Sequence, residues 1–170
     1  EFPKTQKQYY QENRADPLLV NIAGMNGKSY GALMEKICRE KFNLKKSKVS
    51  DYDHVFKFMN KNLKIEQKSA RYSVNKLNWR WQHIEMKHHW DILLCLGLDF
   101  DCIKTYVITR NDVEKLIKKK IIKGQGKNGS PNQGYWFTKL EIEKKIDFNK
   151  YFTNITNKKQ LLEFYNKYFI

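Results

Sequence analysis

Between Asp91 and Asp99 the chain reads Ile92-Leu93-Leu94-Cys95-Leu96-Gly97-Leu98, with no polar residue in the run. A strand alternates its side chains between two faces, so an all-apolar strand must be buried on both. The run is far too short to span a membrane. It therefore predicts a central strand in a covered sheet, and the rest of the chain must supply what covers it. A hydrophobic fraction of 41% and 10 Phe, 10 Tyr and 4 Trp within 170 residues suffice for one such core and argue against wholesale disorder.

The pattern around that run changes period along the chain. Lys4 to Ala15 has helix-compatible spacing and ends at Asp16-Pro17. Lys28 to Phe42 is amphipathic, with Leu33, Ile37, Cys38 and Phe42 at helical intervals. Lys45 to Ser50 is a basic loop, and from Val49 to Phe58 β-branched and aromatic residues predict a strand. Asn60-Lys61-Asn62 is read as a turn, and Leu63 to Ala70 alternates as a second strand, completing a hairpin. Strands are also expected at Asn78 to Ile84, Ile103 to Thr109 and Tyr135 to Phe137. Asn111 with Glu114 predicts a capped helix running to about Ile121, and Lys158 to Phe169 a final helix. Order and spacing predict a single α/β domain over 1–170, with a central mixed β-sheet flanked by helices.

Charge narrows the partners. Lys and Arg number 33 against 18 Asp and Glu, a net charge of +15, which points to a polyanion, nucleic acid before an acidic membrane. Lysine-rich composition from an AT-rich genome is the plain alternative. Three cysteines, Cys38, Cys95 and Cys102, form no C-x-x-C pair and suggest a reducing, intracellular setting. Gly27-Lys28-Ser29 lacks the earlier glycine that a phosphate loop needs. His54, His83, His88 and His89 lack zinc-ligand spacing with a cysteine.

Against this basic background the hairpin keeps its acidic residues. Glu66 and Lys68 share a strand face, and with a turn near Lys61 position 53 falls opposite position 69, at the same end of the hairpin. Two neighbouring carboxylates repel unless a cation lies between them, and hard oxygen ligands select Mg²⁺, with Mn²⁺ as a substitute. Such an ion polarises a phosphate and acidifies water, while a lysine beside it can orient the nucleophile. Asp51 shares a strand face with Asp53 and competes with it for the metal-ligand role.

Asp53 and, across the hairpin, Glu66-Gln67-Lys68 resemble the motif of the PD-(D/E)xK nuclease superfamily. The preceding helix offers Glu35, Trp81-Gln82-His83 stands where a polar strand residue is usual, and the apolar run follows. The likeness covers roughly residues 27–137, leaving 138–170 as a helical, basic extension; the usual proline before the aspartate is absent, its place taken by Tyr52. The resemblance implies a restriction-endonuclease-like fold and a Mg²⁺-dependent, type II-like endonuclease cutting double-stranded DNA as a homodimer. Asp53, Glu66 and the main-chain carbonyl of Gln67 would hold the metal, Lys68 would serve the water, and Glu35 and Gln82 would support them. A nicking or repair nuclease, a non-catalytic DNA-binding module and an RNA-directed protein are the alternatives. For DNA contact the expected residues are Lys45, Lys46 and Lys48 before the hairpin and Arg71 and Asn75 after it. Lys119, Lys120, Lys123, Gln125, Lys127, Asn128 and Asn132, in and before a flexible loop from Gly124 to Gly134, form the second group.

Overall fold

In the computed structural model, which describes residues 4–72 and 78–170, the apolar run is strand β5 (Ile92–Leu98), buried along its whole length. It is the fourth strand of a six-stranded sheet ordered β1 (Lys45–Lys46), β2 (His54–Phe58), β3 (Lys61–Arg71), β5, β6 (Ile103–Thr109) and β9 (Thr153–Asn154). Only the β3–β5 pair is parallel; every other pair is antiparallel, so the sheet is mixed. The protein is α/β, and among the described residues no helix is long and apolar enough to cross a membrane.

The alternation of β5 sends its residues into two different cores. Ile92, Leu94, Leu96 and Leu98 face a helical layer made by α1 (Gln6–Glu12), α2 (Pro17–Ala23), α3 (Gly27–Phe42) and α7 (Lys158–Phe169). Tyr10, Met34, Phe42, Leu161 and Phe164 fill that side. Leu93 and Cys95 face the other way, toward Trp79, Trp81, Trp90 and Phe137 and toward Val113 and Leu116 of α4 (Arg110–Lys118). Full burial of one such aliphatic side chain contributes about 1.5–3 kcal/mol, so a single strand supplies much of both cores.

One cover differs from expectation. The strand predicted at 78–84 does not join the central sheet. As β4 (Arg80–Ile84) it pairs with β8 (Tyr135–Thr138), which pairs with β7 (Lys123–Gly124), in a separate three-stranded sheet. Trp79, just before β4, and Trp81 within it roof the second core, their indole N–H groups donating to β5 carbonyls, Trp79 to Leu98 at 3.1 Å and Trp81 to Leu96 at 2.9 Å. The roof thus joins the central sheet through side chains as well as apolar contact.

Helix ends follow local chemistry. Asn26 caps α3 by accepting from the Ser29 N–H at 2.9 Å, and Asn43, at φ 53°, stops it. The buried stripe of α3 is Tyr30, Met34, Cys38 and Phe42, with Leu33 and Ile37 on its margin. The cap of α4 is Thr109, not Asn111: its hydroxyl accepts from Asp112 N–H at 3.1 Å as β6 runs directly into the helix. Helix α2 arises where no element was expected, and the helical extension expected over 138–170 includes the short α5 (Lys139–Lys145) and α6 (Phe148–Tyr151) before α7.

The contact between the sheets has a steric limit at Gly97. A methyl group there would sit 2.5 Å from two ring atoms of Trp79, itself 3% exposed. Gly97→Ala should cost about 1–3 kcal/mol, as overpacking in a filled core does. At this chain length that lowers Tm by about 2–4 °C per kcal/mol. A thermal melt of the variant matching the parent would contradict the packing.

Candidate active site

Strands β2 and β3 pair with His54 opposite Ile65 and Phe58 opposite Lys61. The turn is therefore Met59-Asn60, with Met59 at φ 54°, rather than Asn60-Lys61-Asn62. The difference is three positions, an odd number, and an odd slip moves every side chain to the other face. Paired with position 69, Asp53 would have pointed away from Glu66 and Lys68. In the observed register Asp53 comes level with Glu66.

The hairpin changes character at that level. Asp53 N–H still donates to Ile65 O at 2.9 Å, but the Gln67 N–H donates to the Asp53 carboxylate, Oδ2, at 2.8 Å. A side chain replaces the next backbone rung. The N–H and C=O of one strand residue point to the same edge. The Gln67 carbonyl is therefore directed to where β2 no longer pairs, on the side of the Asp53 carboxylate.

Glu66 is 6% exposed and shares a side-chain hydrogen bond with Asp53. Burial, then the Asp53 carboxyl, push its pKa well above the ordinary glutamate range, with Lys68 opposing. Lys68 Nζ lies 3.8 Å from Glu66 Oε1. Glu35, in the middle of α3, belongs to the same neighbourhood. Its pKa is raised by burial and by the charge of Asp53, and is drawn back by Arg39, Lys46 and Lys68. Arg39 Nη1 stands 3.8 Å from its carboxylate.

Beneath the site, Gln67 turns its side chain to the opposite face. His54 Nε2 donates to Gln67 Oε1 at 2.6 Å, and Gln67 Nε2 donates to Ser69 Oγ at 3.0 Å. His54 is fully buried, its Nδ1 has no partner, and burial lowers its pKa, so the ring is neutral and serves as packing and support.

His88 is a neighbour that sequence reasoning passed over. Its Nδ1 is 4.0 Å from Glu66 Oε2. The segment that carries it is gathered by Arg110, which donates to the carbonyls of Met86, of His88 at 2.6 Å and of Trp90 at 3.3 Å, and whose guanidinium lies 4.9 Å from the Trp90 ring centre. His88 is weighed in the sequence only as a zinc ligand, and nothing local links residue 88 to residue 66.

The other expected residues divide. Asp51 pairs with His89 Nδ1 at 2.7 Å, which holds its carboxyl below the ordinary range, and it is Asp53 that meets Glu66. Gln82 is not brought to this group: it sits in β4 of the second sheet, its Oε1 accepting from Gln125 Nε2 at 3.5 Å. Gln125 is itself engaged, accepting the His83 N–H at 2.8 Å. Arg71 turns inward, donating to the Ala23 and Met25 carbonyls at 2.9 and 2.7 Å beside the Tyr30 ring, which marks it as a structural cation. Asn75 lies outside the described residues.

Lys45, Lys46 and Lys48 are exposed on and after the edge strand β1, beside the carboxylates. Lys119, Lys120, Lys123, Lys127, Asn128 and Asn132 are exposed around the end of α4 and the following loop. Lys119 rests on Tyr151, its Nζ 3.3 Å from the hydroxyl. The loop itself is hydrogen-bonded turn structure rather than free chain, with Gly126 N–H to Ser130 O at 2.7 Å and Gln125 N–H to Gly134 O at 2.8 Å.

Among the described residues no three His, Cys, Asp or Glu side chains group closely enough to form a metal site by themselves. Asp53 and Glu66 supply two carboxyls, one of them buried and kept in its protonated form by burial and by the other. A divalent cation could replace that proton, with the Gln67 carbonyl as a third hard oxygen, so the donor chemistry fits Mg²⁺. No protein-family model, curated protein or solved structure matches this chain.

A carboxyl whose folded pKa is raised stabilises the fold while it holds its proton. That stability is fully present below the ordinary glutamate value of 4.5 and is lost as pH rises through the folded value. Glu66→Gln should therefore melt higher than the parent in EDTA at pH 8, by about 2–4 °C for each kcal/mol relieved, with the gain shrinking toward pH 5. Mg²⁺ should raise the parent's Tm at pH 8 and leave the variant unmoved. A Tm difference that does not change with pH would refute a protonated Glu66.

Proposed function

We propose that this protein is a Mg²⁺-dependent endonuclease acting on double-stranded DNA, with a restriction-endonuclease-like fold and a PD-(D/E)xK type of site. The observation that carries the proposal is the contact of the Asp53 and Glu66 carboxyls beside Lys68 on one hairpin, backed by a buried strand. The mixed sheet with α3 laid against it, and the net charge of +15, agree with that reading.

Asp53, Glu66 and the Gln67 carbonyl would hold the ion. Bound there, Mg²⁺ would neutralise charge on the scissile phosphate and acidify a water molecule. The chain's own work is positioning and electrostatics. Asp53 is fixed by the Gln67 N–H, and Glu66 is fixed by burial, so neither carboxylate has to be ordered when substrate arrives. Lys68 Nζ, held next to Glu66, donates to the attacking water or to a phosphate oxygen and adds positive charge where negative charge builds. Glu35, with its ionisation disfavoured by burial and by Asp53, can bond the water network around the same carboxylates. Lys45, Lys46 and Lys48 lie beside this group and would take the DNA backbone. Cutting both strands of a duplex asks for two such sites, which a two-fold symmetric homodimer supplies.

Cleavage of supercoiled plasmid tests this. With Mg²⁺ the parent should produce linear or nicked DNA, EDTA should stop it, and Lys68→Ala should slow it by about 10²–10³-fold, the usual loss for one electrostatic donor. Plasmid left intact by protein that still retards it on a gel, or a Lys68→Ala variant as fast as the parent, would overturn the assignment. Preferential cleavage of RNA in a mixed digest would correct the substrate.

A further inference from the structure

Away from the carboxylates, the end of α4, strands β7 and β8 and the loop between them enclose an open groove of 740 Å³. That size is ample for a nucleotide. Its walls carry Tyr135 and Trp136, and its rim carries Lys120, Lys123 and Asn128. The groove is neither wholly apolar nor wholly charged. It combines aromatic rings, ammonium groups and an amide.

Trp136 is the unusual member. The other three tryptophans are 3%, 0% and 1% exposed at positions 79, 81 and 90, whereas Trp136 is partly open. Arg80 lies with its guanidinium 4.9 Å from the Trp136 ring centre. The cation holds the indole in place from the β4 side while the ring lines the groove. The adjoining loop is shaped backbone. A Cβ at Gly124 would meet Gly129 O at 2.1 Å, and one at Gly126 would meet Asn132 Oδ1 at 1.8 Å, so the loop closes on itself only with glycine at both positions. A formed loop beside a held indole needs little ordering when a flat ligand enters.

We infer that this groove binds an unpaired nucleotide of a DNA strand, its base against Trp136 and its phosphates at Lys120 and Lys123. Stacking on aromatic rings together with phosphate contact is how single strands are held without sequence reading. A paired base inside a duplex cannot offer its face to an indole, so the site discriminates for an unstacked nucleotide. The substrate class rests on the DNA reading above, but the groove's residues are separate from the carboxylate group, and the two stand or fall separately.

Three DNA probes distinguish the source of the nucleotide: a short oligo(dT), a fully paired duplex, and the same duplex with one unpaired nucleotide. Trp136 is the partly open indole among four, so tryptophan fluorescence and its acrylamide quenching report on the groove. Measured in EDTA, oligo(dT) or the bulged duplex should quench the emission and protect it from acrylamide, and the fully paired duplex should not. By anisotropy of labelled oligo(dT), Trp136→Leu should bind about 5–150-fold more weakly, the range for loss of one base stack. Lys120→Ala with Lys123→Ala should flatten the salt dependence by about 0.7 per lysine. Near-ultraviolet circular dichroism of each variant checks that the fold is kept. Equal quenching by the fully paired duplex, or oligo(dT) bound by Trp136→Leu as tightly as by the parent, would overturn the inference. Quenching without any cleavage would leave the groove and remove the nuclease, and cleavage without quenching would do the reverse.

Discussion

The pairing of His54 with Ile65 decides what this surface of the protein can do, because it sets which residue stands level with Glu66. With a two-residue turn at Met59-Asn60, Asp53 arrives at Glu66 and its carboxylate takes the Gln67 N–H that β2's backbone would otherwise have taken. Three features follow from that one substitution of side chain for backbone. The ladder ends, the Gln67 carbonyl is left on the open edge, and two carboxyls are forced into contact with one of them almost fully buried. None of these favours stability. Burying a carboxyl beside another carboxyl costs free energy unless one holds a proton or a cation lies between them. Strain of this kind persists where the surroundings are strong enough to impose it.

The surroundings are strong because β5 anchors both sides of the sheet. Its even-numbered residues enter the helical core and its odd-numbered residues enter the tryptophan-rich one, while its parallel pairing aligns Glu66 with Leu93 and Lys68 with Cys95. Behind the charged pair, therefore, stands a layer with no polar side chain to relieve it. The start of β5 is pinned as well. The Lys64 N–H donates to Asp91 Oδ2 and the Asp91 N–H donates to Lys64 O, both at 2.8 Å. Arg110 gathers the preceding turn by its carbonyls and brings His88 to Glu66. A site built on a strand between two cores, with its loop tied by one guanidinium, is held more tightly than one carried on loops alone.

Much of this could be read from the residues, and the failures share a cause. The apolar run, the amphipathic stretch ending at Phe42 and the alternation after Leu63 gave correct element types because each depends on local period. The hairpin register was missed because a Met at positive φ is a poor turn signal and the flanking asparagines are better ones. The grouping of Asp53, Glu66 and Lys68 was expected, although the register used to expect it would have put Asp53 on the wrong face. The separate sheet was hidden because β4 and β8 pair across fifty residues, and strand-like sequence does not name its partner. Arg71 and Gln125 looked free for DNA because their partners, carbonyls in and after α2 and the β4 backbone, are also distant in sequence. His88 escaped for the same reason.

The charge distribution ties these features together. The acidic pair sits in a chain whose net charge is +15, with lysines at 45, 46 and 48 on the adjoining edge. On the nuclease reading, those lysines would draw DNA from roughly a Debye length away, about 8–10 Å at ordinary salt, and the attraction would weaken as salt rises. At closer range the sign reverses: an ionised Asp53 and Glu66 would repel the same phosphates. On the nuclease reading, DNA bound without a divalent ion is held at the rim and kept from the carboxylates, whereas a cation between them turns repulsion into attraction at the one position where a phosphate must sit. The proton on Glu66 acts in the same place as that cation, and the two exclude one another. On the same reading, metal affinity would rise with pH as the proton is given up. The buried position of Glu66 would thereby make one carboxyl answer to both proton and metal, while the lysine rim would respond to neither.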